Sequence, residues 1–179
     1  WIESRRGEML AFWSKVEDGT IPTRVTHNDT KISNILFDKK GGVLCAIDLD
    51  TVMNSTSLND FGDAIRSYAN TSEEDERDLS LVGLSPEMFR AYTEGYLSQR
   101  AKQLTASEID NLAFSARYIT FEQVLRFLMD YIDGDTYYRI KYPEHNLVRT
   151  HAQYKLLRSM EEQYGTMCDI VRETVAKYK

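Results

Sequence analysis

His27-Asn28-Asp29-Thr30-Lys31-Ile32-Ser33-Asn34 has the spacing H-x-D-x-K-x-x-N, and 14 residues beyond Asn34 a second carboxylate, Asp48, closes the apolar run Leu44-Cys45-Ala46-Ile47. This pairing is what phosphoryl transfer asks of a chain. One carboxylate must meet the acceptor hydroxyl, while an amide and a second carboxylate reach a magnesium ion from the other side. Asp29 is the candidate base, taking the hydroxyl proton as the oxygen attacks phosphorus. Lys31 is the candidate for neutralising charge on the transferring group. Asn34 and Asp48 are candidate magnesium ligands, because a hard cation bridging phosphates takes oxygen donors and usually only one or two from protein. Asp50, two residues on, shares a face with Asp48 if the segment stays extended, and would assist the metal, contact substrate or tie down the loop. His27 reads as a structural histidine that holds the loop and the Asp48 segment together.

Around this stretch the sequence predicts a mostly helical α+β unit. Ile2, Met9, Leu10, Phe12, Trp13 and Val16 fall near helical spacing and stop at Asp18-Gly19, which predicts a helix over 2–18. Arg24-Val25-Thr26 is a short extended approach to the loop. Ile35-Leu36-Phe37 and Val43-Leu44-Cys45-Ala46-Ile47 read as two strands joined by the turn Asp38-Lys39-Lys40-Gly41-Gly42, with Cys45 in a buried strand. The loop and the Asp48 segment then occupy the two ends of one hairpin. Thr51 to Asn59 is polar and turn-rich, and Phe61, Ile65 and Tyr68 mark a short helix. Ser85-Pro86-Glu87 is an N-cap followed by proline, and Thr105-Ala106-Ser107-Glu108 is a capping box opening a long, largely buried helix. A last helix is expected from about Leu147 to Val175.

With 179 residues, 42% of them hydrophobic and 28% charged, the chain supports one globular domain rather than two. The formal charge of −6, with no basic stretch, argues against nucleic acid or an anionic membrane surface as partner. No apolar run has the length of a membrane span, so a soluble cytoplasmic protein is expected. Cys45 and Cys168 lie in neither a C-x-x-C nor a histidine-rich context and read as reduced structural thiols. Trp1 and the charged helix that follows read as the interior of a longer protein.

The segment from His27 to Asn34, with Ile47-Asp48-Leu49-Asp50, resembles the aminoglycoside phosphotransferase and choline kinase family, whose fold is similar to that of protein kinases. The wider wording is closer to one branch, the bacterial N-acetylhexosamine 1-kinase-like sugar kinases. It comprises Thr26 to Lys31, Ile47 to Met53, Asn59-Asp60-Phe61-Gly62-Asp63-Ala64-Ile65-Arg66, Arg126-Phe127-Leu128 and Tyr131 to Asn146. The resemblance implies ATP as phosphoryl donor, magnesium as cofactor and a small hydroxylated acceptor. Asn28 stands where many protein kinases have arginine, which removes the implication of control by activation-loop phosphorylation. Leu49-Asp50 follows Asp48 in place of Phe-Gly. The glycine-rich N-terminal lobe and its lysine have no counterpart, so the chain reads as a C-terminal lobe, nearly inactive without the N-terminal lobe of the same protein.

For the acceptor, Asp63, Arg126, Asp130, Tyr131 and Tyr138 are candidate substrate-binding residues, grouped with Arg139 and Gly134 in a composition suited to a polar carbohydrate pocket. Arg66 is expected to pair with Asp63 at i, i+3. An aminoglycoside site would be strongly acidic and a choline site an aromatic cage; the mixture here fits a sugar or amino sugar better. A non-catalytic kinase-like binding module is the competing class, and Asp29, Lys31, Asn34 and Asp48 standing together argue against it.

Overall fold

The computed structural model describes all of residues 1–179. Six helices accompany two small antiparallel ribbons: α1 (Ile2–Glu17), β1 (Arg24–Thr26), β2 (Ile35–Phe37), β3 (Val43–Ala46), β4 (Met53–Ser55), α2 (Ser57–Tyr68), α3 (Pro86–Arg100), α4 (Ala106–Ile132), α5 (His145–Glu162) and α6 (Tyr164–Tyr178). This is the α+β, mostly helical architecture the sequence predicts. No helix is long and apolar enough to cross a membrane.

The core lies between α2, α3, α4, α5 and α6. Phe61, Phe89, Leu97, Leu112, Leu156 and Met160 are wholly buried in it. Burying each such side chain is worth about 1.5–3 kcal/mol before conformational entropy is charged against it. Phe61 on α2 meets Phe89, Tyr92 and Tyr96 of α3 edge-on, with ring centroids 5.1 to 6.2 Å apart. On its opposite face α2 runs close against α4: a Cβ at Gly62 would collide with the Ser115 carbonyl oxygen and the Ile119 side chain. Glycine is therefore the residue that lets these helices touch backbone to backbone.

Helix starts follow the chemistry read from sequence. Ser85 accepts from Met88 N at 3.2 Å ahead of Pro86. Thr105 and Glu108 form the complete capping box, with Thr105 N donating to Glu108 Oε2 at 2.8 Å.

Several expectations are corrected. The ribbon partner of β1 is β4, which pairs Arg24 with Ser55 and Thr26 with Met53 and lies inside the segment read as turn-rich. Three polar or weakly patterned residues leave no period-2 signal, and here long-range pairing decides. The final helix is two, α5 and α6, parted at Gln163, whose side-chain amide donates to the Leu84 carbonyl and the Ser159 hydroxyl, both at 3.0 Å. Cys45 is exposed rather than buried, because the β2–β3 hairpin projects from the helical body and all of β3 is open. Cys168 lies half-buried in α6.

The ribbon is pinned to the helices by a single buried carboxylate. Glu108, fully buried at the start of α4, takes two hydrogen bonds of 2.7 Å from Arg24 of β1 and one of 2.8 Å from Ser57 at the start of α2. Burial alone would raise its pKa, but the Arg24 guanidinium, the Thr105 amide and the Ser57 hydroxyl together bring it down to about 2. A depressed carboxylate stabilises the fold above its unfolded pKa and loses that contribution as pH falls through the folded value. Stability should therefore decline between roughly pH 4.5 and 2. In chemical denaturation at neutral pH, Glu108→Gln should cost about 3–5 kcal/mol, the range for breaking a buried pair, and should flatten that acid limb. An unchanged limb would refute the assignment.

Candidate active site

The loop between β1 and β2 is held from beneath by Asp60 in the first turn of α2. Its carboxylate accepts His27 N at 3.0 Å and Asn28 N at 2.7 Å, and its backbone carbonyl accepts the Thr30 hydroxyl at 2.7 Å. The clamp coincides with Asn28 in the left-handed region, φ 61°, a conformation that asparagine tolerates better than most residues. Its side chain is held in turn by the Thr26 hydroxyl at 3.0 Å and by donation to the Thr51 carbonyl at 3.0 Å. Further along, Ile32 N donates to Ser67 Oγ at 3.0 Å. The sequence reading placed Asp60 on the helix but gave it no role at the loop. A carboxylate that serves backbone amides has no sequence partner to betray it; its position in the first helical turn was the one available signal.

His27 reaches the Asp48 segment through its ring. A carbonyl can only accept, so the 2.9 Å contact between Nε2 and Ile47 O assigns the proton to Nε2. Thr51 Oγ1 donates to His27 O at 2.6 Å. Together with the 2.9 Å bond from Ile47 N to Asn34 O, these contacts lay the Asp48 segment beside the loop.

Asp29, Lys31 and Asn34 converge. Asp29 Oδ2 accepts from Lys31 Nζ and from Asn34 Nδ2, both at 2.8 Å, and Asn34 Nδ2 also reaches Asp29 O at 2.9 Å. Both amide hydrogens of the buried Asn34 are thus spent on Asp29, and its Oδ1 carries no hydrogen bond. Burial would lower the Lys31 ammonium, but its bond to Asp29 and the charges of Asp29, Asp48 and Glu74 outweigh this and hold it above the ordinary lysine range.

Asp48 is exposed and left-handed, φ 65°, at the mouth of the hairpin. No group of three or more histidine, cysteine, aspartate or glutamate side chains is arranged to hold a metal ion. That fits magnesium bound as a nucleotide complex, which keeps phosphate and water ligands and needs only an amide oxygen and one carboxylate from protein. Asn34 Oδ1 and Asp48 are the groups that could supply such donors. Asp50 departs from the extended reading: Leu49–Thr51 is a 3-10 turn, which breaks the two-residue alternation and leaves Asp50 exposed.

Beside Asp29 a cavity of about 310 Å³ opens between the loop, α2 and α4. Asp63, Glu122, Gln123 and Arg126 line it opposite Asn28 and Asp29. Asp63 meets the expected ion pair, with Arg66 Nη2 at 2.8 Å and Nε at 3.0 Å on its Oδ1. Glu122, overlooked in the sequence, is raised chiefly by burial and by Asp63, against the pull of Arg126 and Arg66. Arg126 reaches from this cavity to an outer one with Tyr137 and Tyr138, whose rings lie 5.8 and 5.6 Å from its guanidinium. Tyr138 accepts from Gln123 Nε2 at 3.2 Å.

Two candidates, Asp130 and Tyr131, lie outside the cavity beside Asp29. Asp130 is buried, and its carboxylate accepts Tyr137 N at 2.8 Å, Tyr138 N at 2.9 Å and Asn146 Nδ2 at 2.7 Å. Burial would raise it, but these backbone and amide donors win and hold it below the usual carboxylate range. It shapes the loop that carries Tyr138, and it also lines the outer cavity beside Arg126 and Tyr137. Tyr131 lines neither cavity beside the loop; its backbone carbonyl accepts Gly134 N at the end of α4.

An aspartate-and-lysine loop, an amide and a carboxylate at a hairpin mouth and a polar cavity alongside are consistent with a kinase-type phosphotransferase. The model of the phosphotransferase enzyme family matches residues 2–97, from α1 through the loop, the hairpin and α2 into α3, and the chain belongs to that family. Its kinase-type chemistry calls for ATP and a hydroxyl-bearing acceptor.

If the Asp60 clamp orders the loop, Asp60→Asn, which retains one acceptor oxygen, should cost about 1–3 kcal/mol. It should also speed amide hydrogen exchange at His27 and Asn28 while leaving the core of α4 protected. Unchanged protection at both amides would refute the clamp.

Proposed function

We propose that the chain is the catalytic-loop and acceptor-binding lobe of an ATP- and magnesium-dependent small-molecule kinase whose acceptor is a sugar, most closely an N-acetylhexosamine. The reading rests above all on the cavity that opens on Asp29. Its polar lining mixes carboxylates, an amide and arginines, a composition suited to the two-way hydrogen bonding of hydroxyl groups. A polycationic aminoglycoside would meet Arg66 and Arg126 there. A choline headgroup would find no aromatic side chain in the lining.

In this mechanism the acceptor hydroxyl lies against Asp29, which takes its proton as the oxygen forms its bond to the terminal phosphorus. The bond from that phosphorus to the bridging oxygen breaks in line, and ADP leaves. Lys31, already 2.8 Å from Asp29, balances the added negative charge. Asn34 Oδ1 and Asp48 would hold a magnesium ion, which when bound would supply charge neutralisation at the phosphates. Asp63, held by Arg66, and Arg126 orient the acceptor, and Tyr138 forms the outer wall.

The lobe that covers the nucleotide would dock on the β2–β3 hairpin, where Leu36, Phe37, Val43 and Leu44 are exposed. Without it, ATP positioning and most catalysis would be lost. The test is ADP production by the full-length protein with magnesium-ATP and N-acetylhexosamines, hexoses, choline or aminoglycosides. Turnover should depend on an N-acetylhexosamine or hexose and fall about 10²- to 10⁴-fold in Asp29→Asn, the range general-base catalysis supplies. Turnover indifferent to Asp29, or ATP binding without turnover on any acceptor, would contradict the reading; the latter would favour a binding module.

A further inference from the structure

On the opposite flank of the loop a larger groove, about 960 Å³, runs from Lys31 along the end of α2 to the segment after it. At its floor Gln153 of α5 is completely buried, yet its Nε2 has no hydrogen-bond partner. The amide cannot be turned to remove the problem. Arg66 Nη1 donates to Gln153 Oε1 at 3.5 Å, and a guanidinium has no acceptor to offer if the amide flips. Leaving such a donor unsatisfied costs about 1–3 kcal/mol, so a buried orphan calls for an occupant.

The charges around the groove narrow the class of that occupant. Lys31, Arg66 and Gln153 present donors, whereas Glu73, Glu74 and Glu76 present acceptors. Glu74 is spent on Arg66 at 2.7 Å, and Glu76 Oε1 accepts Asp78 N at 2.8 Å. An anion would face the three carboxylates and a cation the two positive groups beside Gln153. A neutral group that both donates and accepts, a hydroxyl or an amide, suits both.

We infer that this groove is a second ligand subsite, in which Gln153 Nε2 donates to a hydroxyl or amide-carbonyl oxygen of an uncharged polyhydroxylated ligand. The inference rests on the sugar-kinase reading for the identity of that ligand, not for the existence of the site. Gln153 acts as a specificity residue.

The test uses the 179-residue chain labelled with ¹⁵N and titrated with N-acetylglucosamine, glucose and glucosamine. The Gln153 side-chain amide signals are assigned by their loss in Gln153→Met. They should shift saturably with N-acetylglucosamine. Gln153→Met should weaken its binding about 3- to 10-fold, the range of one neutral hydrogen bond. It should also leave the unfolding temperature unchanged or raised, because an unsatisfied buried donor has been removed. Gln153→Glu, which keeps an oxygen for Arg66 but loses the donor, should weaken N-acetylglucosamine similarly and serves if the Met variant does not fold. Saturable sugar binding that leaves the Gln153 signals and both variants' affinities unmoved would overturn the subsite, with a buried water as the occupant, and leave the kinase reading standing. No saturable binding of any of the three would overturn the sugar reading and the subsite together. A lowered unfolding temperature with unaltered affinity would make Gln153 structural only.

Discussion

Two backbone N–H groups pointing at one carboxylate hold this site together. Asp60 takes the amides of His27 and Asn28, and the loop that follows is thereby committed to the left-handed turn that brings Asp29 round toward Lys31 and Asn34. Because Asp60 sits in the first turn of α2, and α2 packs its Gly62 face against α4, the loop is referenced to the most deeply buried part of the molecule. Positioning dominates phosphoryl transfer, so a loop fixed to the core before ligands arrive is worth more than any single contact it makes later.

From that anchor the remaining geometry follows in two directions. Upward, His27 and Thr51 tie the loop to the Asp48 segment, so the amide oxygen of Asn34 and the Asp48 carboxylate come to one end of the hairpin. Sideways, cavities open on each flank, one against Asp29 and one against Lys31, with Arg66, held by Asp63, lining both. Glu108 secures the approach strand from behind. In the proposed reading the exposed hairpin and the buried helices divide the labour: one end would meet the nucleotide, the body the acceptor.

What could be read in the sequence was what short-range chemistry controls. The hairpin showed itself through its Gly41-Gly42 turn, α3 and α4 through their caps, and the loop through the spacing of Asp29, Lys31 and Asn34. Long-range choices left weaker traces. β4 has no pattern until β1 pairs with it. The bonds of Asp130 to the Tyr137 and Tyr138 amides left no trace, because a carboxylate that holds backbone amides is indistinguishable, in sequence, from one that only lines a cavity. Cys45 was misplaced because an apolar strand reads as buried whether its cover is present or not. Asp60, Glu122 and Gln153 owe their significance to neighbours far along the chain, and periodicity cannot report that.

The claim on which the account turns is that Asn34 and Asp48 form the metal side of a nucleotide site while Asp29 faces the acceptor. Paramagnetic broadening of the ¹⁵N-labelled full-length protein by manganese with ATP tests it most directly. Broadening centred on the Asn34 side chain and the Asp48 amide, absent in Asp48→Ala, is the predicted result; broadening that ignores that substitution, or centres on the Glu73–Glu76 segment, would contradict it.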